Sequence, residues 1–450
     1  MRSNCPNVLR RNIMKRTLIN QLPFMTPIPG GEVLIKGFVE AVRNQKRMVF
    51  LTVRDHTGLV QVVHDKREGD VSLTLVLESV TQGSAVEVIG PLVVDAQVKL
   101  GGVEIPVRAF HVVSAAETPL PIDSESSLEK QLDWRYLSLR RPENLLIFKV
   151  QTLLEQAMRE FWKSNGFLEI HSPKLTPAAT ESGSELFTVP YFGKQACLAQ
   201  SPQFYKQMAM AAGFDRIFEI GPVFRANPSF TTRHDTEFTS VDMEVSWIDS
   251  HEELMRLEEA WLLYAISRVA GEYGLEIEAV FGVKVAVPTV PFPRISLEEA
   301  RGILATQGHF ISHKEDLDPE GERMLARHIL ETTGNEFVFV TDYPVSVRPF
   351  YHMRKEGDPE TTKSFDLLWK GLEVTTGAQR EHRHEILTRQ AEEKGIDLDS
   401  IRDYLNFFRF GCPPHGGMGV GLTRLLMILL GRSSVREVTY LYRGPNRLTP

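Results

Sequence analysis

RIFEIGPVFRANPSFTTRHDTEFTSVDMEVSW, residues 216–247, is the stretch whose reading decides the fold. In its second half Val241, Met243, Val245 and Trp247 alternate with Ser240, Asp242, Glu244 and Ser246. A period of two sends each set to its own face of a strand. The first half alternates less cleanly, but Glu219 and Arg225 are separated by an even number of residues and share a face. The loop between the halves carries Arg233 and His234. The stretch therefore predicts a strand–loop–strand hairpin presenting arginines and carboxylates from one sheet face. A guanidinium's planar fork suits phosphate, and carboxylates suit an ammonium group or a metal ion. A solvated sheet face with surface ion pairs is the competing reading of the same pattern.

Downstream, Ser250 and Glu253 form a capping-box pattern ahead of Leu254, Leu257 and Trp261, an amphipathic helix. Upstream, Pro142 and Gly166 bracket a second helix, on which Leu146, Val150, Leu153, Met158, Phe161 and Trp162 make an apolar stripe. Next comes a loop of small residues around Glu181, then QSPQFYKQ (200–207), where Gln203 and Lys206 lie one helical turn apart on one face. A substrate carboxylate that is buried needs a cation, which Lys206 can supply.

SFDLLWKGLEVTTGAQREH (364–382) reads as a hairpin turning near Lys370–Gly371, with Asp366 and Glu373 on adjacent strands. Two carboxylates so close repel unless a cation lies between them, and nucleotide-bound Mg²⁺ is the expected one. An acid pair without metal is the alternative; His382 and His384 lack a third ligand. In the tail, GCPPHGGMGVGLTRLLMILLGRSSVREVTYLYRGPNRLTP (411–450), glycines permit close backbone approach to a ligand, and Arg424 on the following helix can reach a phosphate. Residues 275–345 alternate helix and strand signals with no nameable chemistry.

Residues 31–113 hold five apolar runs separated by polar or glycine-bearing turns: VLIKGFVEAV, MVFLTVRD, LVQVVHD, AVEVIGPLVV and VEIPVRAFHVV. Five short strands suggest a small OB-fold barrel. Arg43, Lys46, Arg47, Phe50, Arg54 and Gln61 interleave charge with one ring, as single-stranded nucleic acid requires. A core Phe50 among surface charges is the competing reading. Residues 114–134, polar and bearing Pro119 and Pro121, read as a linker.

With 450 residues, 42% hydrophobic and 24% charged, the chain is expected to be globular with two or three domains. A net charge of −7 argues against a uniformly basic nucleic-acid binder but allows a local basic surface. The three cysteines, Cys5, Cys197 and Cys412, have no metal-ligand spacing and suit a reducing compartment. No apolar run is long enough to span a membrane.

Together these stretches resemble the class II aminoacyl-tRNA synthetases, and among them the aspartyl enzymes of the short archaeal and eukaryotic form, from about residue 14 onward. FRANPSFTTRHDTEF (224–238) is similar to their motif 2. GFLEIHSPKLTP (166–177), with Pro173, is similar to the dimer-forming motif 1. The glycine-rich strand, Arg424, the apolar helix and NRLTP are similar to motif 3. The first thirteen residues, basic and without acids, precede a family-like start at Met14 and read as an extension or a misassigned start, with a transit peptide as the alternative.

The resemblance implies an α+β chain. An extension (1–30) leads to an OB-fold anticodon-binding barrel (31–113), a hinge (114–134) and a catalytic domain (135–450) with an antiparallel sheet flanked by helices. It implies a cytoplasmic homodimer that uses ATP, L-aspartate and Mg²⁺ to charge tRNA(Asp), with tRNA(Asn) open as a second acceptor. Arg225 and Arg424 take the catalytic places at the α- and γ-phosphates, and Arg233 faces the outer phosphates. Asn227, His234, Asp235, Gly421, Leu422 and Thr423 complete the nucleotide site. Glu373 and Thr376 match the magnesium positions, with Asp366 as a further candidate. For aspartate, Glu181 accepts the α-ammonium, Gln203, Lys206 and Thr376 line the pocket, and Arg380 forks onto the side chain. The lysine of YKQ is the family's mark of aspartate over asparagine. In the barrel, Phe50 stacks on an anticodon base and Gln61 reads an edge, with Arg43 beside them.

Two positions depart from the family, which has Glu where Asn227 and Thr423 stand. An amide still hydrogen-bonds, whereas Thr423 removes a support for Arg424. The departures leave two alternatives open: a tRNA-independent aspartate-activating amide synthetase, and a low-activity RNA-binding paralogue. The barrel argues against the first, and retention of Arg225, Arg424, Lys206, Glu373 and Arg380 against the second. Glu40 and Leu100 stand where relaxed-specificity enzymes have His and Pro and strict ones Trp and Lys. Leu100 has no donor to enforce a choice, which favours a dual-tRNA enzyme.

Overall fold

The computed structural model describes residues 14–67, 70–177, 179, 186–228 and 231–450. Two compact units divide the chain, Met1–Leu145 and Leu146–Pro450.

In the first unit Val33–Asn44, Met48–Arg54 and Leu59–Asp65 form an antiparallel meander. Ala85–Gly90 pairs back onto Val33–Asn44. The final apolar run, one strand by its pattern, divides into Val103–Pro106 and Ala109–Ser114. Its first half adds parallel to Leu59–Asp65 and its second half antiparallel to Ala85–Gly90, so one run joins both ends of the sheet and closes the barrel. Val49, Leu51, Val53, Val60, Val62, Val88 and Ile105 fill the interior. A helix that the strand pattern missed, Val71–Ser79, follows Asp70, whose side chain caps it by accepting from the Ser72 amide. The polar stretch read as a linker ends in a short helix, Leu128–Asp133, capped by Ser127.

In the second unit the described residues form an eight-stranded sheet. Its order is Arg294–Ser296, Phe337–Thr341, Ser364–Trp369, Leu372–Arg380, His415–Gly421, Glu237–Ser246, Arg216–Phe224 and Leu168–Glu169. The two outermost pairings are parallel and the rest antiparallel. The hairpin of the opening stretch forms with Glu219 opposite Asp242 and Phe218 opposite Met243. Val241, Met243 and Val245 enter the main core; Asp242 and Glu244 are buried on the other face. Trp247 does not continue the alternation: it has φ +61° and is 70% exposed, because the strand ends at Ser246.

Helices Pro142–Ser164 and His251–Phe281 pack on this core, their Trp162 and Trp261 ring centroids 5.7 Å apart. The first is followed by Gly166 at φ +79°, and the second begins at the Ser250–Glu253 capping box. Lys370 (φ +51°) and Gly371 (φ +79°) make the predicted turn of the Ser364–Arg380 hairpin. Its register differs from the simple pairing. The turn itself sets Glu373 opposite Leu368, and an irregularity between Leu367 and Leu368 then moves Asp366 one residue on, opposite Thr376.

Candidate active site

The polar face of the large sheet is the floor of a cavity of about 450 Å³. Strands Glu237–Ser246, Leu372–Arg380 and His415–Gly421 contribute Ser240, Asp242, Glu373, Thr376, Arg380, Gly419 and Gly421 to its lining. Helix Gln203–Ala211 contributes Gln203 and Lys206, and the motif 2 loop contributes Arg225, Asn227, Arg233, His234 and Asp235. The helix that starts at Leu422 contributes Thr423 and Arg424.

One end is a buried charge network. Lys206, 1% exposed, lies with Nζ 2.8 Å from Asp242 Oδ1 and 3.5 Å from Glu244 Oε2. Arg380 Nε donates to Glu244 Oε1 at 3.1 Å. Its Nη2 donates to Gln203 Oε1 (3.3 Å) and the Gly417 carbonyl (3.0 Å), and its Nη1 to His352 Nε2 (2.9 Å). Two cations and two carboxylates thus neutralise one another out of water, where an unpaired charge costs several kcal/mol. The glycines of His415–Gly421 make this possible. A Cβ on Gly417 would lie 2.1 Å from Glu244 Oε2, and one on Gly419 would lie 3.1 Å from Asp242 Oδ1. These two glycines make room for the carboxylates; the sequence reading assigned the tail's glycines to a ligand.

The other end is rich in guanidinium groups. Arg233 Nη1 pairs with Glu322 Oε2 at 2.8 Å. Arg424 Nη1 donates to the Glu373 carbonyl (2.9 Å) and lies 3.6 Å from Glu373 Oε1. Arg225 donates to the Gln200 carbonyl at 3.4 Å and lies 5.4 Å from the Phe238 ring. Burial, reinforced by Arg424 and Arg233, lowers His234 to about 4, so it is neutral at pH 7. Burial raises Asp235 to about 7, against hydrogen bonds from Thr439 and Thr423. Thr423, which stands where the family has Glu, therefore bonds an acid on the motif 2 loop. Burial likewise raises Glu322 to about 7 despite its arginine. Between the two ends, Thr376 Oγ1 donates to Glu373 Oε1 at 3.1 Å.

Three expectations need correction. Asp366 does not line the cavity: buried, it is taken by Arg348, whose Nη2 lies 2.6 Å from Oδ2. Leu422 belongs to the apolar core and not to the cavity lining. Glu219 faces Lys174, 2.7 Å away, and also accepts from the Ser172 amide, so it is not a site carboxylate. Glu181 lies outside the described residues.

Further residues complete the site. Asp242 and Glu244 were visible as a polar face but not as partners of Lys206 and Arg380. Arg348, Tyr351 and His352 line the cavity from RPFYH, 348–352, whose packed arginine, aromatic and histidine residues were the available signal. Glu322 comes from helix Pro319–Thr333, in the region that offered no chemistry.

The barrel carries a separate candidate surface. Phe50 is opposite Arg43, and Gln61 is opposite Thr52. The Arg43 guanidinium lies 5.4 Å from the Phe50 ring centroid and its Nη2 3.5 Å from Gln61 Oε1. Gln61 Nε2 donates to Glu104 Oε2 at 2.9 Å. Val49 and Leu51 are buried on one face of the strand while Phe50, only partly buried, points to the other, so it is not a core residue. Phe50→Ala should raise the KM for tRNA by roughly 5- to 150-fold, since stacking on one base is worth about 1–3 kcal/mol. Pyrophosphate exchange should not change, because the chemistry belongs to the other unit. Unchanged charging with diminished exchange would dismiss this surface.

Residues 127–443 match the family of class II tRNA synthetases (D, K and N), and residues 33–113 match the OB-fold nucleic acid binding domain. The aspartate–tRNA(Asp) ligase of Pyrococcus abyssi is 41% identical over 94% of this chain and 97% of its own length. The aspartate–tRNA(Asp/Asn) ligase of Methanopyrus kandleri is 43% identical over 94% and 96%. Among solved structures, asparaginyl-tRNA synthetase of Pyrococcus horikoshii in complex with asparaginyl-adenylate superposes with a TM-score of 0.90 at 30% identity, covering 97% of this chain and all of the other. Aspartyl-tRNA synthetase of Entamoeba histolytica gives 0.86 at 31% identity, covering all of this chain and 95% of the other. The chain belongs to the class II aminoacyl-tRNA synthetases, and within them to the aspartate–tRNA ligases. Among the described residues no helix is long and apolar enough to cross a membrane.

Proposed function

We propose that this chain activates L-aspartate with ATP and transfers the aspartyl group to the 3′ end of tRNA(Asp), and of tRNA(Asn) as well. The observation that carries the reading is one cavity with a buried Lys206–Asp242–Glu244–Arg380 network at one end and Arg225, Arg233 and Arg424 at the other. In the first step the aspartate α-carboxylate attacks the ATP α-phosphate and pyrophosphate leaves. No protein nucleophile is required; holding the reactants in line and balancing phosphate charge do the work. Arg225 faces the α-phosphate, Arg424 the γ-phosphate and Arg233 the outer phosphates. Gln203, Lys206, Thr376 and Arg380 receive the amino acid, with Arg380 toward its side-chain carboxylate. Asn227, His234, Asp235, Gly421 and Thr423 bound the nucleotide.

Glu373 and Thr376 fit Mg²⁺. A carboxylate and a hydroxyl 3.1 Å apart beside the phosphate end are a partial oxygen set that nucleotide and water would complete. Among the described residues no cluster of three His, Cys, Asp or Glu side chains could hold a metal unaided. When bound, the ion offsets phosphate charge. A homodimer is supported by the motif 1 resemblance, and the cytoplasm by the sparse cysteines.

Relaxed tRNA choice is supported by Leu100, which has no donor, and by Glu40, whose carboxylate is taken by Arg54 Nε at 3.0 Å. The test is aspartate-dependent ATP–pyrophosphate exchange followed by charging of unmodified tRNA(Asp) and tRNA(Asn) transcripts. Exchange and charging of both, with kcat/KM values within about a hundredfold, is the expected result. A larger preference, beyond about 2.7 kcal/mol, would make the enzyme strict for tRNA(Asp). Exchange without charging would point to the amide synthetase, and no exchange to an inactive paralogue.

A further inference from the structure

His352 is 3% exposed and lines the cavity, and its Nε2 lies 2.9 Å from Arg380 Nη1. A guanidinium only donates, so the imidazole accepts at Nε2 and carries its proton on Nδ1. Nδ1 has no hydrogen-bond partner in the protein. The ring is held by its backbone: His352 forms an antiparallel bridge with Arg380, and its carbonyl accepts from Gln390 Nε2 at 3.2 Å. The largest charge effects on it come from Arg380, Arg348, Lys394 and Lys206, all cations. Burial first, and then these cations, hold the imidazole well below its ordinary value, so it is neutral at physiological pH.

Arg380 has a competing partner. Glu244 takes its Nε through Oε1 only; Oε2 has no hydrogen bond and lies 3.5 Å from Lys206 Nζ. Arginine and carboxylate tend towards a two-pronged pair. Rotation into that pair would draw the guanidinium toward Glu244. An acid at position 352 would cancel the charge of Arg380, and a cation would repel it. A neutral acceptor fixes the orientation and leaves the charge intact.

We propose that His352 is a positioning residue for amino-acid selection, its neutral imidazole holding the Arg380 guanidinium toward the substrate's side-chain carboxylate. This rests on the reading of Arg380 given above. The experiment is pyrophosphate exchange with the full chain. His352→Leu should raise the KM for aspartate about tenfold or more and lower discrimination against asparagine, with kcat and the KM for ATP within about twofold. His352→Gln, whose amide oxygen can accept from Arg380, should recover most of the loss. The wild-type KM for aspartate should be flat from about pH 6 to 8, the range in which a histidine of ordinary pKa would titrate. Asp235 and Glu322 titrate near 7 at the nucleotide end and so act on the KM for ATP. An unchanged aspartate KM in His352→Leu would overturn the proposal, as would a Gln variant no better than Leu. So would an ATP KM that moves with that for aspartate, or a wild-type aspartate KM that climbs as pH falls. A wild-type protein with no aspartate-dependent exchange would instead reject the reading of Arg380 itself.

Discussion

Arg225→Ala should slow aspartate-dependent pyrophosphate exchange by about 10²–10³-fold, or about 2.7–4 kcal/mol, in a protein that still unfolds at the wild-type temperature. The two halves of this expectation have different sources. Arg233 and Arg424 each sit beside an acid, Glu322 and Glu373, but Arg225 is in no ion pair among the described residues. Its charge is therefore the least offset of the three, and a phosphate gains most from it. Among the described residues its side chain makes one long hydrogen bond, to Gln200, and faces an aromatic ring 5.4 Å away, so removing the side chain costs the fold little. The measurement is exchange kinetics beside thermal unfolding of the same preparation. Near-normal exchange in a folded variant would move the phosphate site away from this loop.

The hairpin that carries Arg225 was legible because period-two alternation is local: Val241, Met243 and Val245 had to share a face. The distant partners of that face were not. Asp242 meets Lys206 from 36 residues away and Glu244 meets Arg380 from 136 away, and no sequence period encodes either meeting. Asp366 shows a different failure. The hairpin and its turn were predictable from Lys370–Gly371, but that turn already sets Glu373 opposite Leu368 and away from Asp366, and Arg348 arrived from a segment with no pattern. Trp247 fits the alternation and still leaves the strand, since a period says nothing about where pairing stops. Glu322 was invisible for a simpler reason: an acid near the start of an amphipathic helix is ordinarily a surface residue, and only tertiary packing turns it toward Arg233.

Lys206→Met should remove most of the enzyme's preference for aspartate, and the buried network gives the reason. On the sequence alone, Lys206 and Arg380 are two cations awaiting a substrate carboxylate, left underpaired when an amide binds. In the structure both already have carboxylate partners, so the four side chains sum to zero before substrate arrives. Aspartate then adds a negative charge to a balanced site, and any lost cation leaves that site net negative. Sites built to bond a polar group reject analogues lacking it by about 10⁴–10⁵-fold, and the wild-type ratio of aspartate to asparagine should fall in that range. In Lys206→Met the kcat/KM for aspartate should fall much further than that for asparagine, because the ammonium that receives its carboxylate is gone and the buried charge of Asp242 is left unpaired. Stability should fall too, by about 3–5 kcal/mol, since breaking a buried pair strands its partner. The two effects separate in Lys206→Met with Asp242→Asn, which restores neutrality. That double variant should regain much of its thermal stability without regaining aspartate selectivity. If it regains both, Lys206 serves the fold and not the substrate. A wild-type enzyme that activates asparagine within about tenfold of aspartate would sink the assignment from the other side.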